Sequence, residues 1–510
     1  MLAKVLSGTL QGVEALLVEV EVDIVNGLPT FATVGLPDGA VRESKDRVKS
    51  AIKNSGYEFP NRRITVNLAP ADVKKSGPGF DLPIAIGVLA ASEICNTENL
   101  SRYSILGELS LDGKVRPVQG ILPMAIAAQQ QQFKGIIVPR ENVEEASIVS
   151  DIDVIGIEHL HQAVDFFIDP STISSSNKKH SAETASPNIY DVDFQDVKGQ
   201  DYAKRALEVA AAGGHNVLMV GPPGSGKTML ARRMPTILPD LSFEEALETT
   251  KIYSVSGLLS DSTGLMLSRP FRAPHHTISD AGLIGGGRIP RPGEVSLAHN
   301  GVLFLDEFAE FKKHVIEVLR QPMEDGRVTI ARASSSLTFP AEFILIAAMN
   351  PCPCGYKGDM QHECTCSPIH INRYENKLSG PLLDRIDIHI EVPAVPFKEI
   401  SSPISAENSF SIKQRIEEAR KVQLTRYKRR KTIFSNSRMA TKDIKNYCIL
   451  DAASETLLEK SVEKLGLSAR AYHRILKIAR TIADLAASES IETQHIAEAI
   501  QYRRLDRKRM

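Results

Sequence analysis

The residues Gly221-Pro222-Pro223-Gly224-Ser225-Gly226-Lys227-Thr228 match G-x-x-x-x-G-K-[ST] and directly follow the apolar run Asn216-Val-Leu-Met-Val220. A glycine-rich turn between a strand and a helix lets backbone N–H groups close around phosphate oxygens, with the positive end of the helix dipole behind them. Lys227 is placed to reach the β and γ phosphates and Thr228 to supply a hydroxyl to Mg²⁺. Downstream, Gly301-Val-Leu-Phe-Leu ends in Asp306-Glu307. An apolar strand there delivers Asp306 to the Mg²⁺ and Glu307 to an attacking water, the two roles that γ-phosphate hydrolysis needs. A third apolar run, Phe343 to Met349, ends in Asn350, whose amide can orient that water. Ser379-Gly-Pro-Leu-Leu-Asp-Arg385 ends in an arginine suited to spreading transition-state charge, especially if supplied by a neighbouring subunit. A surface salt bridge from Arg385 to Asp384 or Asp387 is the plainer alternative.

A second cluster is made of thiols. Of six cysteines, Cys95 and Cys448 stand alone, while Cys352-Pro-Cys354 and Cys364-Thr-Cys366 form two C-x-C pairs separated by nine residues. Four thiolates so spaced can satisfy a tetrahedral, structural Zn²⁺ on a loop that has little core, with free thiols or a redox pair as the other readings.

These residues must be held by folded elements. Alternating stretches such as Ala15–Val22 and Arg63–Leu68 predict strands, and Val41–Asn54 has helical spacing. The predicted organisation is a mixed α/β domain over 1–168, a Ser-rich linker over 169–190, a second α/β block over 191–395 that carries the phosphate motifs, and a helical region over 396–510. With 61 Lys+Arg against 62 Asp+Glu, the net charge of -1 excludes a bulk polycation. No apolar run nears the ~18 residues that span a bilayer. The start of the chain lacks a secretory pattern, so a cytoplasmic protein without a membrane partner is expected.

The ordered set Gly221–Thr228, Leu303–Glu307, Asn350 and Leu382–Arg385 resembles the AAA+ ATPases. More narrowly, Val34-Gly-Leu-Pro-Asp38, Lys75–Pro83, Phe271-Arg-Ala-Pro-His-His276 and Asn350-Pro-Cys-Pro-Cys-Gly355 are similar to the magnesium-chelatase-like branch and to its ComM/YifB competence-protein family. The resemblance implies ATP and Mg²⁺ as cofactors. It also implies Asn350 as the sensor-1 residue, Arg385 as an arginine finger and Arg470, in Ser468-Ala-Arg470, as the sensor-2 residue. Arg373 is a further candidate for a subunit interface. A homo-hexamer is implied, with two insertions lining its pore. One is Tyr253–Leu297, which includes His275-His276, Arg288 and Arg291. The other is an Arg327–Ala341 hairpin with Arg327 and Arg332.

The implied fold is a Lon-protease-like (ribosomal-S5-like) α+β domain, an AAA+ core and a helical lid. In the first domain Gly79 stands where a Lon-type serine belongs, and Gly120–Met124 holds no lysine, so acyl transfer has no nucleophile or base. The implied activity is an ATP-driven motor, a helicase or branch-migration factor, acting on single-stranded and branched DNA in homologous recombination and natural transformation. It would work beside other recombination proteins. The basic runs Arg426–Lys431 and Arg503–Arg509 are added DNA-contact candidates, or solvated helix faces. A protein-remodelling chaperone and a magnesium-chelatase-type motor subunit are the alternatives.

Overall fold

Val18, Val20, Val22 and Ile24 alternate with Glu19, Glu21 and Asp23 along the strand Glu14–Val25, and only the apolar set is buried. That period of two turns one face of the strand to a core and leaves the carboxylates on the other. In the computed structural model this strand sits within a seven-stranded mixed sheet. It pairs antiparallel with Leu2–Gln11 and with Arg63–Ala69. Beyond Leu2–Gln11 the strands Tyr103–Ile105, Gly135–Pro139 and Asp153–Ile157 run parallel to one another. The helix Asp81–Ala91 is buried at every position; after Asp81, which Arg47 pairs, its sequence is apolar throughout.

The structure describes residues 1–176, 190–259, 264–287, 290–332, 335–359, 362–396, 399, 406–428 and 435–503. Residues 177–189 of the expected linker lie outside the described residues.

The chain divides into two compact units. The first comprises Met1–Ser186 together with Phe243–Met266, and the second Pro187–Ser242 with Leu267–Met510. The helix Phe243–Ser256 therefore leaves the phosphate-motif block and joins the first unit. There Leu247 and Leu265 pack against the cluster of Ile121, Leu122, Met124 and Ala125. Ser254 donates its hydroxyl to Glu145 at 2.5 Å, and Glu145 also accepts from the Leu122 N–H at 2.9 Å. The expected insertion Tyr253–Leu297 is thus split, its part up to Met266 belonging to the first unit.

The second unit is built on five parallel strands. In chain order these are Val217–Val220, Phe271–Arg272, Gly301–Leu305, Phe343–Met349 and Ile388–Glu391, arranged in space as second, third, fourth, first, fifth. The strands buried on both faces read as continuous apolar runs, as parallel sheets do. Among the described residues of the C-terminal region, five helices, Ser409–Tyr427, Thr441–Tyr447, Ala452–Leu465, Ala469–Leu485 and Thr493–Gln501, make up most of the chain. Ile412, Ile416, Ile475, Ile478 and Ile482 share one core with Ala206, Val217 and Ile346 of the sheet block. Polar contacts tie the same parts. His215 bonds Thr481 at 2.9 Å, and Asp387, buried, is paired with Arg474 and accepts the Asn216 N–H at 2.9 Å. Burial works to raise the Asp387 pKa, but Arg474, His215 and the Asn216 amide together hold it well below the usual carboxylate range.

Candidate nucleotide-hydrolysing site

Strand register sets this site. Val220 pairs with Met349, so Gly221 and Asn350 leave the sheet side by side. Leu305 pairs with Ala347, which brings Asp306 to the same edge. In an open parallel sheet this carboxyl edge, where the strand order reverses, is where ligands bind.

The loop turns through Gly224 and Gly226 at φ of 75° and 84°, a region that side chains with a Cβ disfavour, and enters the helix Lys227–Ile237. The Lys227 ammonium donates to the carbonyls of Gly221 at 2.7 Å and Pro222 at 2.8 Å, and lies 3.4 Å from the Asn350 Oδ1. Burial lowers its pKa, while Asp306 works the other way. Thr228 donates its hydroxyl to Asp306 Oδ2 at 2.7 Å, so two oxygen ligands converge on one point. That donor set suits a hard divalent cation such as Mg²⁺.

Glu307 lies at φ 51°, and its N–H donates to Asp306 Oδ1 at 2.9 Å. The left-handed conformation costs a residue with a Cβ about 1 kcal/mol, an expense typical of functional positions. Glu307 Oε2 lies 3.0 Å from His276 Nδ1, and the His276 ring lies 4.1 Å from that of His275. That contact brings a residue of the Tyr253–Leu297 insertion to the Asp-Glu strand end. Its cause is pairing. Phe271–Arg272 runs parallel to Gly301–Leu305, so the residues that follow the two strands come out together. The juxtaposition of Phe271–His276 with an Asp-Glu strand end was the available signal, but two residues are too few to read as a strand by period.

The structure brings Lys227, Thr228, Asp306, Glu307 and Asn350 together and leaves both expected arginines apart from them. Arg385 is buried, donates to the Pro381 carbonyl at 2.7 Å and pairs with Glu324 at 2.8 Å. The salt bridge to Asp384 or Asp387 is therefore corrected, since Asp387 is taken by Arg474 and Asp384 lies 4.0 Å from Arg503. Arg470 is exposed on the first turn of Ala469–Leu485, and Arg373 is exposed on Pro368–Glu375.

Beside the phosphate loop opens a cavity of about 1320 Å³ whose lining includes Gly199, Gln200, Tyr202, Pro222, Met349 and His389. Gln200 donates to the Ser225 carbonyl at 2.5 Å, linking this wall to the loop. Gly199, Gln200 and Tyr202 were not singled out in the sequence, where Lys198-Gly-Gln200 resembles any polar turn.

Of the expected DNA contacts, Arg291 and Arg327 are exposed. Arg291 lies on a short strand paired with Gly285–Gly286, and Arg327 opens the hairpin Arg327–Arg332/Ser335–Pro340. Arg288 and the Arg332 side chain lie outside the described residues. Two other candidates are corrected. Arg426 is held by Asp484 through two bonds, at 2.7 and 2.5 Å, and Arg503 is fully buried with a bond to the Ile386 carbonyl at 2.5 Å. Both guanidiniums serve the fold. The rest of those two basic runs, apart from Tyr427 and Lys428, lies outside the described residues. Elsewhere in the second unit Cys352, Cys354, Cys364 and Cys366 converge, with all four Sγ atoms within 4.8 Å of one another.

A five-stranded parallel sheet in this order, with a phosphate loop, an Asp-Glu strand end and a polar residue on the strand between, defines a P-loop ATPase of the AAA+ type. Family comparison agrees over nearly the whole chain. Residues 193–400 match the model described as magnesium chelatase, subunit ChlI, residues 20–142 match subunit ChlI of Mg-chelatase, and residues 406–503 match the ChlI C-terminal model. The competence protein ComM of Haemophilus influenzae is 45% identical over 512 residues, covering 99% of this chain and 98% of ComM. Escherichia coli YifB is 45% identical over 502 residues, 97% of this chain and 96% of YifB. The magnesium-chelatase 67 kDa subunit of Chlorobaculum parvum is 29% identical over 164 residues, 31% of this chain and 23% of that subunit. The chain belongs to the ComM/YifB family of magnesium-chelatase-like AAA+ proteins. That membership implies an ATPase that uses ATP with Mg²⁺. Among the described residues, no helix is long and apolar enough to cross a membrane.

Proposed function

We propose that the chain is the protomer of a cytoplasmic, homo-hexameric, ATP-driven DNA motor that promotes branch migration and unwinding of single-stranded and branched DNA during homologous recombination and natural transformation. The observation that carries the hydrolytic part is the convergence of Lys227, Thr228, Asp306, Glu307 and Asn350 at one sheet edge. The amides of Gly224, Ser225, Gly226, Lys227 and Thr228 cradle the phosphates, and Lys227 gives up its loop carbonyls to reach them. Thr228 and Asp306 would hold Mg²⁺, which when bound would supply charge neutralisation to the γ-phosphate. Glu307 polarises the attacking water and Asn350 orients it. Arg385 exchanges Glu324 for a neighbour's γ-phosphate, and Arg470 approaches a nucleotide from the lid. Hydrolysis thereby depends on assembly.

Two features support DNA as the substrate moved. The hairpin exposes Arg327, Thr329, Ser336 and Thr338 while burying Val328, Ile330 and Phe339. The short Gly285–Pro292 ribbon exposes Arg291. Small polar groups and arginines suit the phosphate backbone of a strand, with Arg288 and Arg332 completing the set. No large exposed apolar side chain occurs among the described residues of either hairpin, which speaks against threading of polypeptide. A proteolytic role for the first unit has no support. Gly79 offers no hydroxyl, and Lys75 is enclosed with its amine on the Pro70 carbonyl. The four cysteines are read as a structural Zn²⁺ site.

The test is ATP-dependent displacement on labelled three- and four-stranded DNA junctions, with Lys227→Ala as control. Migration by the parent protein alone is expected. Turnover indifferent to every DNA tested, with no migration, would overturn the motor reading. A Glu307→Gln ring used to trap polypeptide or a chelatase partner would then decide between the other two.

A further inference from the structure

Between Asn350 and the helix Pro368–Glu375 the chain has no helix or strand among its described residues, and only Cys352 and Gly355 are buried. Such a segment cannot order itself by apolar burial and needs a covalent or metal staple. Its four thiols are unbonded, with Sγ separations of 3.4 Å for Cys352–Cys354, 3.7 Å for Cys352–Cys364 and 3.6 Å for Cys354–Cys364. Tetrahedral Zn²⁺ with Zn–S bonds of about 2.3 Å requires edges of about 3.8 Å, close to these values. The Cys354 N–H points at Cys366 Sγ at 3.3 Å, the kind of outer hydrogen bond that orients a thiolate ligand.

The turn that carries the first pair also touches the phosphate loop. The Gly355 N–H closes on the Cys352 carbonyl at 3.0 Å, and Gly355 sits at φ 89°. A Cβ added to Gly355 would lie 2.6 Å from Pro223 Cδ and 2.8 Å from its Cγ. Nothing bulkier than glycine fits between the thiol cluster and the loop. On its other side the segment is pinned by the Lys357–Glu375 ion pair at 2.7 Å.

We infer that Cys352, Cys354, Cys364 and Cys366 bind Zn²⁺ as a clamp on the ATP site: the metal joins the two C-x-C turns, the Gly355 turn then presses on Pro223, and nucleotide binding becomes conditional on the metal. The inference rests on the zinc reading above and adds to it a control of the neighbouring phosphate loop. Thiol-directed oxidants and mercurials, which release the metal, would thereby silence the ATPase without touching Lys227.

The experiment uses the full chain purified under reducing conditions, with zinc measured by mass spectrometry and affinity by a fluorescent ATP analogue. One zinc per chain is expected in the parent protein. The Cys364→Ser/Cys366→Ser double variant should lose the metal and bind nucleotide at least about tenfold more weakly. Gly355→Ala should keep its zinc and lose affinity by a similar factor, and it decides the matter if the double variant fails to fold. Absence of zinc, with no uptake from added ZnCl₂, would overturn the metal site itself. Stoichiometric zinc with parental affinity in Gly355→Ala would overturn the clamp and leave the metal site standing.

Discussion

Among the described residues two lysines are buried, one in each compact unit, and they differ in what surrounds them. Lys75 is fully enclosed, and its ammonium is committed to the Pro70 carbonyl. Lys227 is 8% exposed, and its partners are the carbonyls of Gly221 and Pro222 in its own glycine-rich loop. Burial lowers the pKa of both, and a nearby aspartate opposes it in both, Asp72 for Lys75 and Asp306 for Lys227. Burial and pKa therefore do not distinguish them. What does is the neighbourhood: Lys227 sits beside a threonine, an aspartate and an asparagine at an open sheet edge, whereas Lys75 faces a closed carbonyl. A buried cation is structural when its partner is permanent and functional when an anion can replace that partner.

The strongest challenge to this contrast is Lys227→Ala. It should cut ATP turnover by about a hundredfold or more while leaving thermal stability near that of the parent, as measured by phosphate release and calorimetry. Glu307→Gln should slow hydrolysis by about a hundredfold yet retain the fluorescent nucleotide, separating chemistry from binding. In the fold itself, Asp387→Asn removes one partner of an enclosed ion pair and should cost about 3 kcal/mol in denaturant unfolding.

The buried aspartate of the first unit gives a pH test. Asp81 accepts Arg47 at 2.6 and 3.0 Å, yet burial outweighs the arginine and pushes its pKa up to about 6. A raised carboxylate pKa contributes stability that is complete below its unfolded value and is lost as pH rises through the folded one. The first unit should therefore lose on the order of 2 kcal/mol between pH 4 and 6 from this group, a slope that Asp81→Asn flattens. Asp387, held low, behaves oppositely. Its contribution is present above about pH 4 and disappears only in stronger acid. Lys75→Met should show the smallest effect, about 1 kcal/mol of stability for the orphaned carbonyl and unchanged ATP turnover.

Much of the fold and of this site is legible in the sequence because the relevant positions are strand ends. An apolar run that ends abruptly, in a glycine-rich turn at Gly221 and in a polar residue at Asp306 and Asn350, marks each strand end, and parallel pairing then fixes their proximity. Features that depend on distant partners were not legible. Arg426 and Arg503 read as basic runs, and nothing local to them announces Asp484 or the Ile386 carbonyl. The Glu324 partner of Arg385 and the His276 partner of Glu307 lie far from them along the chain, where no spacing rule reaches. The cavity wall at Gly199–Tyr202 is made of residues ordinary in type, and only the fold assembles it.

The membership of Phe243–Met266 in the first unit has a consequence for biosynthesis. When the ribosome has released Ser186, the earlier part of that unit still lacks the helix that covers Ile121, Leu122 and Met124, and Glu145 still lacks the Ser254 hydroxyl. The N-terminal half cannot mature as it emerges. It must wait several seconds for residues made after the phosphate loop, at usual elongation rates. A fragment ending in the Ser-rich stretch would be born with an uncovered apolar face and a buried carboxylate short of one hydrogen bond, so a stable excised N-terminal domain has to carry the later helix with it.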